Sequence, residues 1–247
     1  MLPRMTPVPG PAEFADHTDD HHHADVSGGW LRAGVFGAMD GLVTNIALVA
    51  GVGGGGADRQ TIILTGMAGL VAGAFSMALG EFASVDTQND AVANEVRVER
   101  DEIRRHPHAE QAELTEMYVE MGLSRETAEA VSREVSADPE LAVKVHITQE
   151  LGVDPDDQPS PWTAAISSFV AFSIGGIVPI VTYLLGYSSL ALALGVGAVG
   201  LFIAGALTSR FTTRSWWLSG LRQLLFGAIA AGATYVVGML IGVGVGG

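Results

Sequence analysis

The stretch WTAAISSFVAFSIGGIVPIVTYLLGY, residues 162–187, contains no Asp, Glu, Lys or Arg. A helix needs about 20 mainly apolar residues to cross a bilayer, whereas a buried strand runs to about 4–8, so length assigns this stretch to a transmembrane helix. Its glycines do not argue otherwise, because in membranes Gly lets helix backbones pack closely. Residues 33–52, 61–80, 190–209 and 224–247 meet the same criterion. The expected fold is an all-α membrane protein with five transmembrane helices. Gly195, Gly197, Gly200 and Gly205 are expected to form one packing face, and Gly238, Gly242 and Gly246 a second. Of the five spans only the first holds a charged residue, Asp40.

Outward from the spans, composition changes abruptly. The chain of 247 residues is 48% hydrophobic and 16% charged, yet its formal net charge is −14. The charges crowd into residues 95–157, so the chain faces two solvents. Arg32 precedes the first span, seven further Arg and Lys from Arg97 to Lys144 lie in the charged insert, and Arg210, Arg214 and Arg222 lie between spans four and five. Only Arg59 falls in an outer loop if the N-terminus is inside. The positive-inside rule therefore makes the N-terminus and the insert cytoplasmic.

Residues 1–29 are rich in Pro, Asp and His without hydrophobic periodicity and are expected to be disordered. They hold no early apolar core, so no cleavable signal peptide is expected and the first span directs insertion. His17, His21, His22 and His23 either gather metal loosely near the entrance or have no role. Cysteine is absent, which excludes disulfides and thiolate metal sites and leaves oxygen, nitrogen and thioether ligands.

Residues 30–88 then hold spans one and two, residues 89–157 a helical acidic insert, and residues 158–247 spans three to five. No Gly or Pro interrupts the chain from Phe82 to His106, so the second span is expected to continue as a stalk through 89–105. Pro107 starts a second helix, Ser124 caps a third, and Asp138-Pro139 starts a fourth that Gly152 ends. Pro179 is expected to kink the third span, as a hinge or as a static packing feature. Trp216 and Trp217 read as interfacial anchors.

Three constellations carry candidate chemistry. A carboxylate at helix-centre depth costs about 2.5–3.5 kcal/mol, so Asp40 is expected to face a bundle interior or a watery path. Met77 and Glu81 stand four apart on one helical face and offer a thioether beside a carboxylate, which suits first-row metals better than Mg2+ or Ca2+. In the insert, Glu99 and Glu102 form one i, i+3 pair and Glu110 and Glu113 another, with Pro107 placed to fold the two helices back on each other. Such pairs also occur on solvated faces, and Glu95, Glu116 and Glu120 offer competing registers.

The run Gly37-x-x-Asp40-Gly41-Leu42-Val43-Thr44-Asn45, the segment Ser76-Met77-Ala78-x-Gly80-Glu81-Phe82-x-Ser84-Val85, and the charged insert after the second span resemble the vacuolar iron transporter family. The resemblance covers residues 30–247. It implies a five-span homodimeric exchanger of ferrous iron or similar divalent metals for protons, with a cytoplasmic metal-binding domain. It places Asp40, Met77 and Glu81 on the membrane pathway, and Glu99, Glu102, Glu110, Glu113 and Glu150 among the insert's metal ligands. Where the family often has a Met pair, this chain has His146-Ile147. His146 can replace one thioether with a ring nitrogen, whereas Ile147 binds no metal.

The expected function is export of Fe2+, Mn2+, Co2+, Ni2+ or Zn2+ from the cytoplasm, coupled to protons that share the pathway carboxylates with metal. Metal is then substrate, with no permanent cofactor, and the expected location is the bacterial cytoplasmic membrane. The alternatives are a membrane-anchored metal sensor, in which the insert binds and nothing is transported, and a passive channel. No nucleophile with a base, phosphate loop or Cys/His zinc motif is present, so no enzyme is expected. No nucleic-acid partner is expected.

Overall fold

A computed structural model describes residues 29–211 and 213–245. The N-terminal His tract and Gly246 lie outside the described residues. Among the described residues eight α-helices follow in order: α1 (Gly29–Gly54), α2 (Arg59–Arg105), α3 (Pro107–Glu120), α4 (Arg125–Val135), α5 (Pro139–Leu151), α6 (Pro161–Leu184), α7 (Leu190–Leu207) and α8 (Trp216–Val245). A 3-10 turn, Thr208–Phe211, follows α7. Among the described residues there is no strand. Five helices, α1, α2, α6, α7 and α8, are long and apolar enough to cross a membrane.

Several ends differ from the expected bounds, two of them for reasons the chain shows. The last helix begins at Trp216 rather than at residue 224. Arg222 interrupts the apolar run, but a long cationic side chain near a helix end reaches the interface without stopping the helix. The third span ends at Leu184 rather than 187, because Gly186 takes φ +100° and turns the chain.

The α1 helix is the centre of the bundle, gripped by α6 on one side and α8 on another. A Cβ on Gly41 would collide with the Phe172 carbonyl, one on Gly175 with the Ala38 carbonyl, and one on Gly238 with the Gly51 carbonyl. Small residues thus bring backbones into contact where lipid supplies no hydrophobic drive between helices. Gly197 meets Ile46 and Gly200 meets Leu42, but Gly195 has open space around it, so the expected four-glycine face on α7 is reduced to Gly197, Gly200 and Gly205. Polar ties add direction. Thr234 Oγ1 donates to the Ala47 carbonyl at 2.6 Å, and Arg59 Nε donates to the Tyr183 carbonyl at 2.8 Å near the end of α6. Outer faces are apolar stripes, Leu64, Val71, Phe75 and Leu79 on α2 and Trp162, Ile166, Val170 and Ile174 on α6, all exposed.

The 47 residues of α2 make a rod of about 70 Å at 1.5 Å per residue, more than twice the roughly 30 Å of hydrocarbon. Its far half carries the insert. Ser124 caps α4 by accepting from the Thr127 N–H, Asp138 caps α5 through the Glu140 and Leu141 N–H groups, and Gly152 closes α5 at φ +67°. Leu114, Ala128, Val143 and Ile147 are buried within the insert. Arg100 clamps Glu140 from the stalk through two nitrogens at 3.1 and 2.7 Å, and Lys144 bonds Asp154 and Asp156 of the linker into α6. These fix the phase of α5 against α2.

Candidate metal centre

That phase turns His146 inward. Its side chain is 1% exposed, and Nδ1 lies 3.3 Å from Glu99 Oε1, 3.3 Å from Glu150 Oε1 and 3.9 Å from Glu110 Oε2. Glu150 follows His146 by one turn of α5, Glu99 comes from the stalk and Glu110 from the first turn of α3. Donor atoms of Glu99, Glu110 and His146 all lie within 4.8 Å of one another. Donors bonded at about 2.1 Å stand roughly 3–3.5 Å apart around a tetrahedral or octahedral ion, so the cluster is close to ion-sized.

The electrostatics agree with the geometry. Glu99 is 12% exposed and Glu110 14%. Glu99 Oε1 is buried without a hydrogen bond, a state that normally costs about 1–3 kcal/mol or more for a charged group. Burial pushes the Glu99 carboxyl up to about 7, with His146 opposing and Glu150, Glu110 and Glu113 adding to the rise. Burial and then Glu113 raise Glu110. The cluster holds more negative charge than its surroundings can solvate, and a cation is the direct remedy.

From each i, i+3 pair the structure brings in one member. Glu102 instead hydrogen-bonds His106 at 2.9 Å, and Glu113 is exposed, contributing through its charge on Glu99 and Glu110. Ile147 is buried in the apolar core beside the cluster.

A pH dependence follows. A carboxyl raised from 4.5 to about 7 on folding favours the fold while protonated. That contribution is fully present below pH 4.5 and is lost as pH rises through 7. The metal-free insert is therefore expected to melt at lower temperature at pH 8 than at pH 5, and added Mn2+ to restore the loss at pH 8. A Glu99→Gln protein should show a weaker pH slope. Melting curves of equal slope in the two proteins would refute the placement of this carboxyl.

In the membrane part, Gly41 of α1 and Gly73 of α2 both abut Phe172, while Ala33 and Val85 pack together nearer the insert. This register sets Asp40 within about a helical turn of Met77 along the bundle. Asp40 hydrogen-bonds Thr44 and is exposed on the surface of the single chain. Met77 is half-buried. Glu81, one turn nearer the insert, is 16% exposed and pairs with Arg32 at 3.3 Å. From its place in the sequence Arg32 has a topological role alone, and Asn45 has none. Asn45 is fully buried, donates through Nδ2 to the Gly176 carbonyl at 2.8 Å, and leaves Oδ1 without a partner. An amide inside an apolar span was the available signal.

Residues 31–239 match the VIT family. The chain is 34% identical over 232 residues to a protein named vacuolar iron transporter of Acanthamoeba castellanii (strain ATCC 30010 / Neff), covering 90% of this chain and 83% of that one. It is 29% identical to vacuolar iron transporter 1 of Oryza sativa subsp. japonica, covering 91% of each. It is 30% identical to a vacuolar iron transporter of Toxoplasma gondii (strain ATCC 50861 / VEG), with 92% and 80% covered.

Proposed function

The chain belongs to the VIT family, and on that premise we propose that it is a membrane transporter that exports ferrous iron, or Mn2+, Co2+, Ni2+ or Zn2+, from the cytoplasm in exchange for protons. The observation that carries the metal reading is the unsatisfied, buried Glu99 Oε1 among Glu110, His146 and Glu150. In this reading the insert is cytoplasmic and collects the ion, with Glu102 and Glu113 as outer ligands. Asp40, Met77 and Glu81 then pass it through the membrane. The C-terminus lies on the far side, and the membrane is the bacterial cytoplasmic membrane.

Exchange follows from the same carboxylates. An ion leaving Asp40 or Glu81 exposes a bare charge in a low-dielectric path, and a proton taken from the far side cancels it. Metal and proton therefore alternate. Exposure of Asp40 on one chain supports a homodimer, because a second copy would cover an acid that lipid does not accept.

Flux into liposomes, measured metal by metal with and without an imposed pH gradient, tests the proposal. Uptake driven by the gradient is expected; uptake indifferent to it would favour a passive channel, and binding with no uptake a sensor. Titration calorimetry of the full chain separates the ligand sets. Glu99→Ala with Glu110→Ala is expected to weaken metal binding about 100-fold, on the scale of removing charged partners from a buried cluster. Glu102→Ala with Glu113→Ala should weaken it only a few-fold. Equal effects would mean that the four acids act alike, against the geometry.

A further inference from the structure

We infer that Arg32 is a tethered competitor for metal at Glu81: it occupies the carboxylate when no metal is there and must leave when a divalent cation arrives. The inference rests on Glu81 lying in the proposed pathway. Arg32 Nη2 stands 3.3 Å from Glu81 Oε2. The carboxylate is enclosed, at 16% exposure, while the arginine side chain is 58% exposed. This pair joins α1 to α2, whereas Arg100–Glu140, Arg125–Glu116 and Lys144–Asp154 lie in the insert and its linker.

A divalent cation on Glu81 and a guanidinium on the same carboxylate repel each other, so arrival of metal drives Arg32 away. The departure needs no movement of a helix. Ala33, beside Arg32, is fully buried against Val85 and Ala164, and a Cβ on the next residue, Gly34, would stand 3.0 Å from Ser167 Oγ. The end of α1 is pinned there by packing. What remains free is a long side chain already mostly in the open, which can swing its guanidinium outward.

The same packing argues against a mere brace, since α1, α2 and α6 are already held together at this level by the buried Ala33, Val85 and Ala164. What the pair adds is occupancy of Glu81. It lowers the affinity for metal at that point, and while Arg32 sits on the empty Glu81 it leaves Asp40 as the pathway carboxylate that takes the proton.

The test uses the full chain carrying Glu99→Ala and Glu110→Ala, so that the insert site does not report, with Mn2+ binding followed by the electron spin resonance of free Mn2+. Adding Arg32→Gln is expected to tighten the dissociation constant about 3- to 10-fold, the range of a partly exposed pair. Arg32→Lys should stay within about twofold of the parent, because only one guanidinium nitrogen makes the contact and an ammonium can replace it. Melting temperatures should be unchanged within a few degrees. A dissociation constant unmoved by Arg32→Gln, or no Mn2+ bound by either protein, overturns the inference. Mn2+ uptake into liposomes is read separately, and Arg32→Gln should lower KM without raising kcat. If no protein transports but the binding shift persists, the transport reading fails and the role of Arg32 stands. Normal transport with unmoved binding and KM gives the reverse result.

Discussion

Asp40→Asn is expected to reduce metal uptake into liposomes to the level of empty vesicles, a loss of about 100-fold or more. Asparagine keeps the size of the side chain and can still hydrogen-bond Thr44, the partner of Asp40. It cannot carry a negative charge or exchange a proton. An ionisable group in the middle of an apolar helix is maintained against about 2.5–3.5 kcal/mol, so its charge is the property in use. Losing an anionic ligand for a divalent ion removes several kcal/mol, and each 1.4 kcal/mol is tenfold. Asp40→Glu should recover part of the flux. An Asp40→Asn protein that moved ferrous iron at the parental rate under a pH gradient would sink both the pathway assignment and the proton coupling built on it. Melting measured alongside is expected to show the Asn protein folded, because Asp40 packs against no other helix of its own chain tightly enough to be buried.

The second large effect concerns the fold itself. Gly175→Leu should prevent recovery of a folded protein or lower its melting temperature by about 10 °C. A single methyl at this position already meets the carbonyl of Ala38, so a leucine must drive α6 away from α1. Overpacking of this kind costs about 1–3 kcal/mol, and here it separates the two backbones that form the centre of the bundle. Gly195→Leu is the control. Nothing lies within 4 Å of the added Cβ there, and leucine is the better helix former, so stability should hold within about 1 kcal/mol. Equal melting of the two leucine proteins would refute the α1–α6 packing.

These two positions also show what the amino-acid order reveals and what it hides. Charge-free length identifies spans because no other fold class tolerates it, and the caps at Ser124, Asp138 and Gly152 act within a single turn, so both are visible locally. Which glycine packs is not visible, because it depends on the rotation of each helix about its axis. Gly195 and Gly197 are two residues apart, yet one faces open space and the other meets Ile46. The same holds in the insert. Spacing pairs Glu99 with Glu102, but it is the angle between α2 and α3 and the clamp of Arg100 on Glu140 that leave Glu99 inside and tie Glu102 to His106. The bond from Arg32 to Glu81 spans 49 positions in the chain and has no local signature.

The unbroken length of α2 has a mechanical consequence. Because one rigid rod carries both Glu81 at membrane level and Glu99 on the stalk, it works as a lever with its fulcrum among α1 and α6. A tilt of about 5° in the bundle would sweep the far end, some 40 Å away, by roughly 3 Å. That displacement is comparable to the spacing of the ligand atoms around His146, and because Arg100 clamps α5 to the same rod, the ion cluster travels with the rod when the spans tilt.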